Sequence, residues 1–277
     1  EVYLQMADAI TRYEPLLITA RDTEPVRSLL AERLTEEQMK RVTLFACDNN
    51  DTWARDVAPI SLISNKTSKN SSQPLRLLDF CFNGWGAKFA AEKDNRINRQ
   101  LYEAGLLQGV LENHKDFVLE GGSIESDGER TLFTTTSCLM APHRNQPLKQ
   151  EDIDKQLRLF FPNVERVIWL DYGQLAGDDT DGHIDTIVRI APNNTLLYIG
   201  CDDKEDEHYE DFRLLEEQLK QLRTLDGKPY RLLRLPMPDA IYDDDERLPA
   251  THANFLIING AVIVPTYDQP EKDKAAL

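Results

Sequence analysis

The chain has no long apolar run, no cluster of basic residues and no close-spaced cysteines, and each shortage removes a class of function. Its most apolar stretch, "NFLIINGAVIVP" at 254–265, is broken by Asn259-Gly260 and falls well short of the roughly 20 residues that span a bilayer. No membrane role is expected. Lysine and arginine total 32 against 48 acids, a net charge of −16, and the bases are scattered. A nucleic-acid binder needs clustered cations to neutralise phosphates, so that class is set aside. Cys47, Cys81, Cys138 and Cys201 lie far apart without a C-x-x-C, which excludes a dense disulfide framework and suits a reducing cytoplasm. No basic-then-apolar leader pattern is read at the start of this sequence. "EVYLQMADAITRYE" instead reads as the inside of an amphipathic helix, so a shortened N-terminus is expected.

What is abundant is acid. A negative field favours a small cationic ligand, although acidity alone also serves solubility. Along the chain, "PLLITA" and "RVTLFAC" read as strands around the helix "EPVRSLLAERL". "VAPISLIS" and "LRLLDFCF" flank "NKTSKNSSQP", which has the composition of an exposed hairpin loop. A helix over 92–105 follows, then a hairpin turning at Asp127-Gly128 and the helix "QEDIDKQLRLFF" leading to the strand "RVIWL". "HIDTIVRIAPNNTLLYIG" predicts a hairpin turning at Pro192-Asn193-Asn194. The next helix, "EHYEDFRLLEEQLKQLRT", should bury Phe212, Leu215, Leu219 and Leu222. "YRLLRLPM" and a hairpin turning at Asn259-Gly260 complete the series.

One unit therefore recurs: a polar residue at the mouth of a hairpin, the hairpin, a helix and a strand. Asp56, Glu120, His183 and Asn254 each stand at such a mouth, spaced by roughly 65 residues. Repeated β/α units set around an axis would gather these four at one end.

Three stretches carry chemistry. In "NNDTWARDVAP", Asp51, Trp53 and Asp56 put carboxylates beside an indole, a set suited to a guanidinium or ammonium. The plainer alternative makes Asp51 a turn cap, Asp56 an ion-pair partner and Trp53 core. In "LEGGSIE", Glu120 precedes two glycines that allow close approach of a ligand or a neighbouring strand; alone it could equally be an exposed strand residue. In "DDTDGHID", His183 and Asp185 are two apart, and on a strand they would face one side, pairing an acid/base with a fixed negative charge. Asp178 is expected to be solvated, while Asp179 and Asp181 stay open. One histidine with several carboxylates could hold a metal, but no second His or Cys lies at short ligand spacing and the EF-hand pattern is incomplete, so a metal-free site is preferred.

Taken together, "NDTWARDVAP", "FNGWGAKF", "LEGGSIESDG", "GDDTDGHID" and "LPATHANFLIINGAVIVP" resemble the agmatine deiminase and bacterial-type peptidylarginine deiminase family of the guanidino-group-modifying, or pentein, superfamily. The resemblance implies an α/β fold, a five-fold pseudosymmetric β/α propeller with an axial site, built from a single catalytic domain over 1–277 that is shortened at both ends. It implies that Asp56 and Asp185 clamp a guanidinium, that His183 is general acid and base, and that Glu120, Asn254, Asp179 and Trp53 line or orient the pocket. It also implies a covalent amidino-cysteine intermediate, a soft thiolate being able to attack a carbon that water attacks poorly. No metal or organic cofactor is implied. The family nucleophile follows a glycine-rich segment near the C-terminus; nothing after Thr266 matches it, and the cysteine is expected beyond Leu277. Cys138 in "TTTSCLMAP" matches a non-catalytic position at the far end of a hairpin strand and is expected to be structural, as are Cys47, Cys81 and Cys201. Ala58 stands where the family more often has glycine, which requires a negative φ there.

The function expected is deimination of agmatine to N-carbamoylputrescine and ammonia in the cytoplasm, with peptidylarginine deimination as runner-up. A non-catalytic guanidinium- or polyamine-binding protein is the alternative of another class. The partner expected is a small cationic guanidino compound, with oligomeric state left open.

Overall fold

The computed structural model describes residues 1–63 and 75–277, so the loop read in "NKTSKNSSQP" lies outside the described residues. The chain divides into two compact units. One comprises Glu1–Asp79, Ala90–Asn113 and Phe255–Ile263; the other comprises Phe80–Phe89, His114–Asn254 and Val264–Leu277.

In the first unit, strands Leu16–Ala20 and Val42–Ala46 pair in parallel, Leu16 opposite Val42 through Ala20 opposite Ala46. Parallel partners need a crossover, and helices Thr23–Arg33 and Glu36–Met39 supply it. The first begins where the Asp22 carboxylate accepts the Glu24 N–H, and the second in a Thr35–Gln38 capping box. Ala7, Leu30 and Leu34 form the core beneath, with Leu16, Ile18, Val26, Val42 and Leu44 packed against it. A second cluster joins Cys47 to Ile97 and Leu101 of helix Asp94–Glu103. The predicted turn at Asn259-Gly260 joins antiparallel strands Leu256–Ile258 and Ala261–Ile263, with Gly260 at φ +85°, a conformation that glycine adopts without strain.

The second unit repeats one motif. Strands Ile124–Ser126 and Thr131–Thr135 form an antiparallel hairpin; helix Gln150–Phe160 follows, and Arg166–Leu170 returns parallel to the second hairpin strand. Strands Val188–Ala191 and Thr195–Gly200, helix Tyr209–Gln221 and strand Arg231–Pro236 do the same. Helix periodicity sets the buried faces: Ile153 and Leu157 in one helix, Phe212, Leu215 and Leu219 in the other. Each fully buried Leu or Phe contributes about 1.5–3 kcal/mol. Leu222, predicted to join them, is only part-buried because the helix has ended at Gln221.

The mouths of these hairpins depart from expectation in a consistent way. Glu120 caps a 3-10 turn, Gly121–Ser123, and His183 caps another, Ile184–Thr186. In the first unit a helical turn, Ala54–Val57, precedes strand Ile60–Leu62 in the same manner. His183 and Asp185 therefore do not lie on a strand, as their spacing had suggested. The Ile187 N–H bonds to the Ile184 carbonyl, which curls this backbone before the strand starts at Val188. Among the described residues, no helix is long and apolar enough to cross a membrane.

Candidate active site

Four of the predicted residues meet in the second unit, and its glycine-bearing loops explain how. The loop entering His183 is shaped by Asp178, whose carboxylate accepts the Thr180 and Gly182 N–H groups at 3.0 and 2.8 Å and the Thr180 hydroxyl at 2.6 Å. Asp178, expected to be solvated, is therefore the organiser of the loop. Asp181 and Gly182 then take φ +64° and +95°, two left-handed steps that turn the chain inward. The Gly182 carbonyl accepts the Thr135 hydroxyl at 2.5 Å, and the Thr180 hydroxyl accepts the His183 N–H at 2.9 Å. His183 arrives 3% exposed and Asp185 6% exposed.

Glu120 is fully buried, not exposed, because the Gly121–Ser123 turn folds it inward and the Ser123 hydroxyl bonds back to its carbonyl at 2.6 Å. A carboxylate with no water needs donors. Arg144 supplies them, its Nε lying 3.1 and 3.4 Å from the two Glu120 oxygens. The same guanidinium reaches Asp181 through Nη1 at 2.6 Å and the Thr180 carbonyl through Nη2 at 2.6 Å. Lys88 completes the chain of charges, with Nζ 2.5 Å from Asp181 and 2.6 Å from the Asp179 carbonyl. Burial would push the Asp181 carboxyl up, but the bonds from Lys88 and Arg144 outweigh it and hold it below the usual range. Asp179 presents its side chain to solvent.

Asn254 is exposed, and its Nδ2 lies 3.5 Å from the Asp185 carbonyl. Its approach is held by Thr251, whose hydroxyl bonds to the Thr186 carbonyl at 2.6 Å, and by Arg189, which donates to the Ala253 carbonyl at 3.0 Å. Asp56 and Trp53 belong to the first unit. Asp56 is buried on the Ala54–Val57 turn. Trp53 is 57% exposed, so the alternative that made it core is wrong. Ala58 has φ −63°, as an alanine there requires. A recess in that unit lined by Arg21, Cys47, Asp48, Lys93, Arg96 and Gln100 contains none of the predicted residues.

Cys138 is not at the end of a strand. It lies in the helical turn Thr136–Leu139, whose start is capped by the Thr135 hydroxyl. Ligand atoms of Cys138, Glu120 and His183 all fall within 4.8 Å of one another, the one such trio among the described residues. Metal chemistry fits it poorly. Burial pushes the Cys138 thiol well above its ordinary range, whereas a metal needs the thiolate, and Arg144 already occupies both Glu120 oxygens. Arg144, Lys88, Asp178 and the placement of Cys138 escaped the sequence reading. A lone arginine in "PHRNQ" carries no periodic or motif signal that would have singled it out.

Known proteins resemble this chain over its whole length. The family model for Porphyromonas-type peptidyl-arginine deiminases matches residues 1–277. A crystal structure of a Porphyromonas gingivalis protein, provisionally named an arginine deiminase, is 47% identical with a TM-score of 0.91, covering 99% of this chain and 78% of that one. A C. jejuni agmatine deiminase, solved with substrate bound in a cysteine-to-serine variant, is 36% identical with a TM-score of 0.86, covering 99% and 76%. Agmatine deiminase of Pseudomonas aeruginosa is 31% identical over 298 aligned positions, covering 99% and 76%. The repeated hairpin–helix–strand units are those of a mixed α/β protein of the pentein β/α-propeller class. More narrowly, the chain belongs to the Porphyromonas-type peptidyl-arginine deiminase family, enzymes that hydrolyse a guanidino C–N bond.

Proposed function

We propose that the protein hydrolyses agmatine to N-carbamoylputrescine and ammonia. The observation that carries this reading is the convergence of Glu120 and His183, both buried, with Asp185 close behind on the same 3-10 turn. The net charge of −16 and the agmatine deiminases among the relatives support a cationic guanidino substrate. In the proposed reaction, Asp185 holds the guanidinium nitrogens by charged hydrogen bonds, with Glu120 and Asn254 orienting the pocket and Asp179 at its edge. A thiolate adds to the guanidinium carbon, forming a C–S bond. His183 delivers a proton to the departing nitrogen, the C–N bond breaks and ammonia leaves. Water, giving its proton to His183, then adds to the same carbon, and the C–S bond breaks to release the ureido product.

Cys138 is a poor candidate for that thiolate, since burial keeps it protonated. The proposal does not give it that role. It adds no metal or organic cofactor, and it places the reaction in the cytoplasm. The 47% identity to the P. gingivalis protein favours a second reading, deimination of arginine or peptidyl-arginine. Assaying the full-length gene product for ureido product separates the two: agmatine turned over at least tenfold more efficiently than arginine or an arginyl peptide supports the first. Inactivity on all three would remove both.

A further inference from the structure

Arg144 sits where four loops converge. Its side chain is wholly buried, and its guanidinium fork spends three nitrogens on three acceptors: Glu120, Asp181 and the Thr180 carbonyl. Two of those belong to the loop that delivers His183, and the third, the Glu120 carboxylate, lies within 4.8 Å of the His183 ring. Pro142 lies two residues before Arg144, and a Cβ at Gly86 would stand 3.2 Å from the Pro142 carbonyl, 3.5 Å from an Asp181 oxygen and 3.7 Å from Arg144 Nη1. A side chain at Gly86 would crowd that junction. Asp181 and Gly182 are held in left-handed conformations, so the angle at which His183 enters the site depends on what tethers that loop. Asp178 ties it to itself; Arg144 ties it to the Glu120 turn.

The charges point the same way. Around the His183 ring and its loop stand Glu120 from the Gly121–Ser123 turn, Cys138 from Thr136–Leu139, Asp178, Asp181 and Asp185 from the loop, and Lys88 after the Gly84–Ala87 turn. Glu120 without Arg144 would be a buried carboxylate with His183 and Cys138 within 4.8 Å, and it would turn to the imidazole, the one of the two that can carry a positive charge. With Arg144 in place, its oxygens are engaged on one side and the imidazole is left to exchange protons with the substrate.

From this geometry we propose that Arg144 is a positioning residue: through Glu120 and the Thr180–Asp181 tether it sets the place of the His183 ring in the reaction. The proposal rests on the deiminase reading above. Lysine cannot replace it, because a single ammonium lacks the planar fork that meets three acceptors at once. The test uses the full-length protein, with turnover and thermal midpoint measured on R144K, D181N, E120Q and E120Q/R144K. Expected is a roughly 100-fold fall in kcat for R144K with KM within about threefold, the scale of a misplaced catalytic group. D181N, which loosens one tether at a part-exposed carboxylate, should lower kcat by about tenfold, again with KM little changed. In the E120Q background, R144K should cost less than it does in the natural protein, since part of the effect travels through Glu120 and the rest through the Thr180–Asp181 tether. Equal activity of R144K and the natural protein would overturn the proposal, as would an additive double variant. If R144K does not fold, D181N decides: kcat within twofold of the natural protein overturns it. An inactive natural protein would sink the deiminase reading itself, and the proposal with it.

Discussion

The ion pair between Glu125 and Arg189 offers a direct test of how the repeated units are locked together. Arg189 Nε lies 2.8 Å from Glu125 Oε1, and the two side chains are only 7% and 9% exposed. Glu125 is on the first hairpin strand of one sheet and Arg189 on that of the next. Each has a second bond: the Ile190 N–H reaches Glu125 Oε2 at 3.2 Å, and Arg189 Nη1 reaches the Ala253 carbonyl at 3.0 Å. Glu125→Leu would strand a buried guanidinium, which costs about 3–5 kcal/mol. Arg189→Met would strand the carboxylate at a similar cost of about 3–5 kcal/mol and free the Ala253 carbonyl beside Asn254. The double replacement removes both charges. Among the groups left behind are two backbone groups that lose these side-chain partners, about 1–3 kcal/mol each, partly offset by apolar packing. The double variant should therefore lose about 2–4 kcal/mol, well under the sum of the singles, a coupling of several kcal/mol. Urea unfolding followed by circular dichroism measures it, and Glu125→Gln serves as a milder variant should the singles fail to fold. Additive losses, or single losses below about 1 kcal/mol, would refute the claim that these charges depend on each other.

Three further outcomes are expected. Gly182→Ala should lower stability by about 1–2 kcal/mol for the left-handed residue alone, and turnover more, because its Cβ would stand 2.6 Å from the Ser137 hydroxyl next to His183; unfolding and kcat measured side by side show this. Cys138→Ala should cost about 1–2 kcal/mol in unfolding experiments yet leave kcat within about tenfold, whereas loss of all turnover would make Cys138 the nucleophile. Asp181 and Asp206 both titrate below the ordinary carboxylate range when folded. Burial opposes this in each, but Lys88 and Arg144 in one case, and Arg247 and His208 in the other, hold the charged form. A depressed folded value means their stabilisation is present above the unfolded value of about 4 and fades as pH falls through the folded one. Asp206→Asn should lower the melting temperature at neutral pH and flatten its decline in acid, and a parallel shift at all pH values would contradict the assignment.

Local signals were legible because they act over a few residues. Helical periodicity placed Ile153, Leu157, Phe212, Leu215 and Leu219 on buried faces, and Asn259-Gly260 and Asp127-Gly128 marked hairpins that the structure contains. Five short motifs in order were enough to identify the family, which the match over the whole chain bears out. The spacing of Glu120 and His183 likewise foretold their equivalent places at the mouths of successive hairpins.

Other features depended on which distant groups compete for the same atoms. A strand was the natural reading of His183-Ile184-Asp185, and hydrogen bonds to Thr180 within its own loop and from Thr135 and Thr251 in two distant segments hold it and its flanks as a turn. Composition made Asp178 one more solvated acid; only the folded loop shows its carboxylate satisfying the backbone on which His183 rides. Arg144 lies 24 residues from Glu120 and 37 from Asp181, separations over which sequence carries no spacing rule. Chain-local chemistry thus determined the elements, their repeat and the identity of the candidate catalytic groups. Tertiary structure decided which charges are buried together, because a buried carboxylate must find its donors wherever in the chain they are.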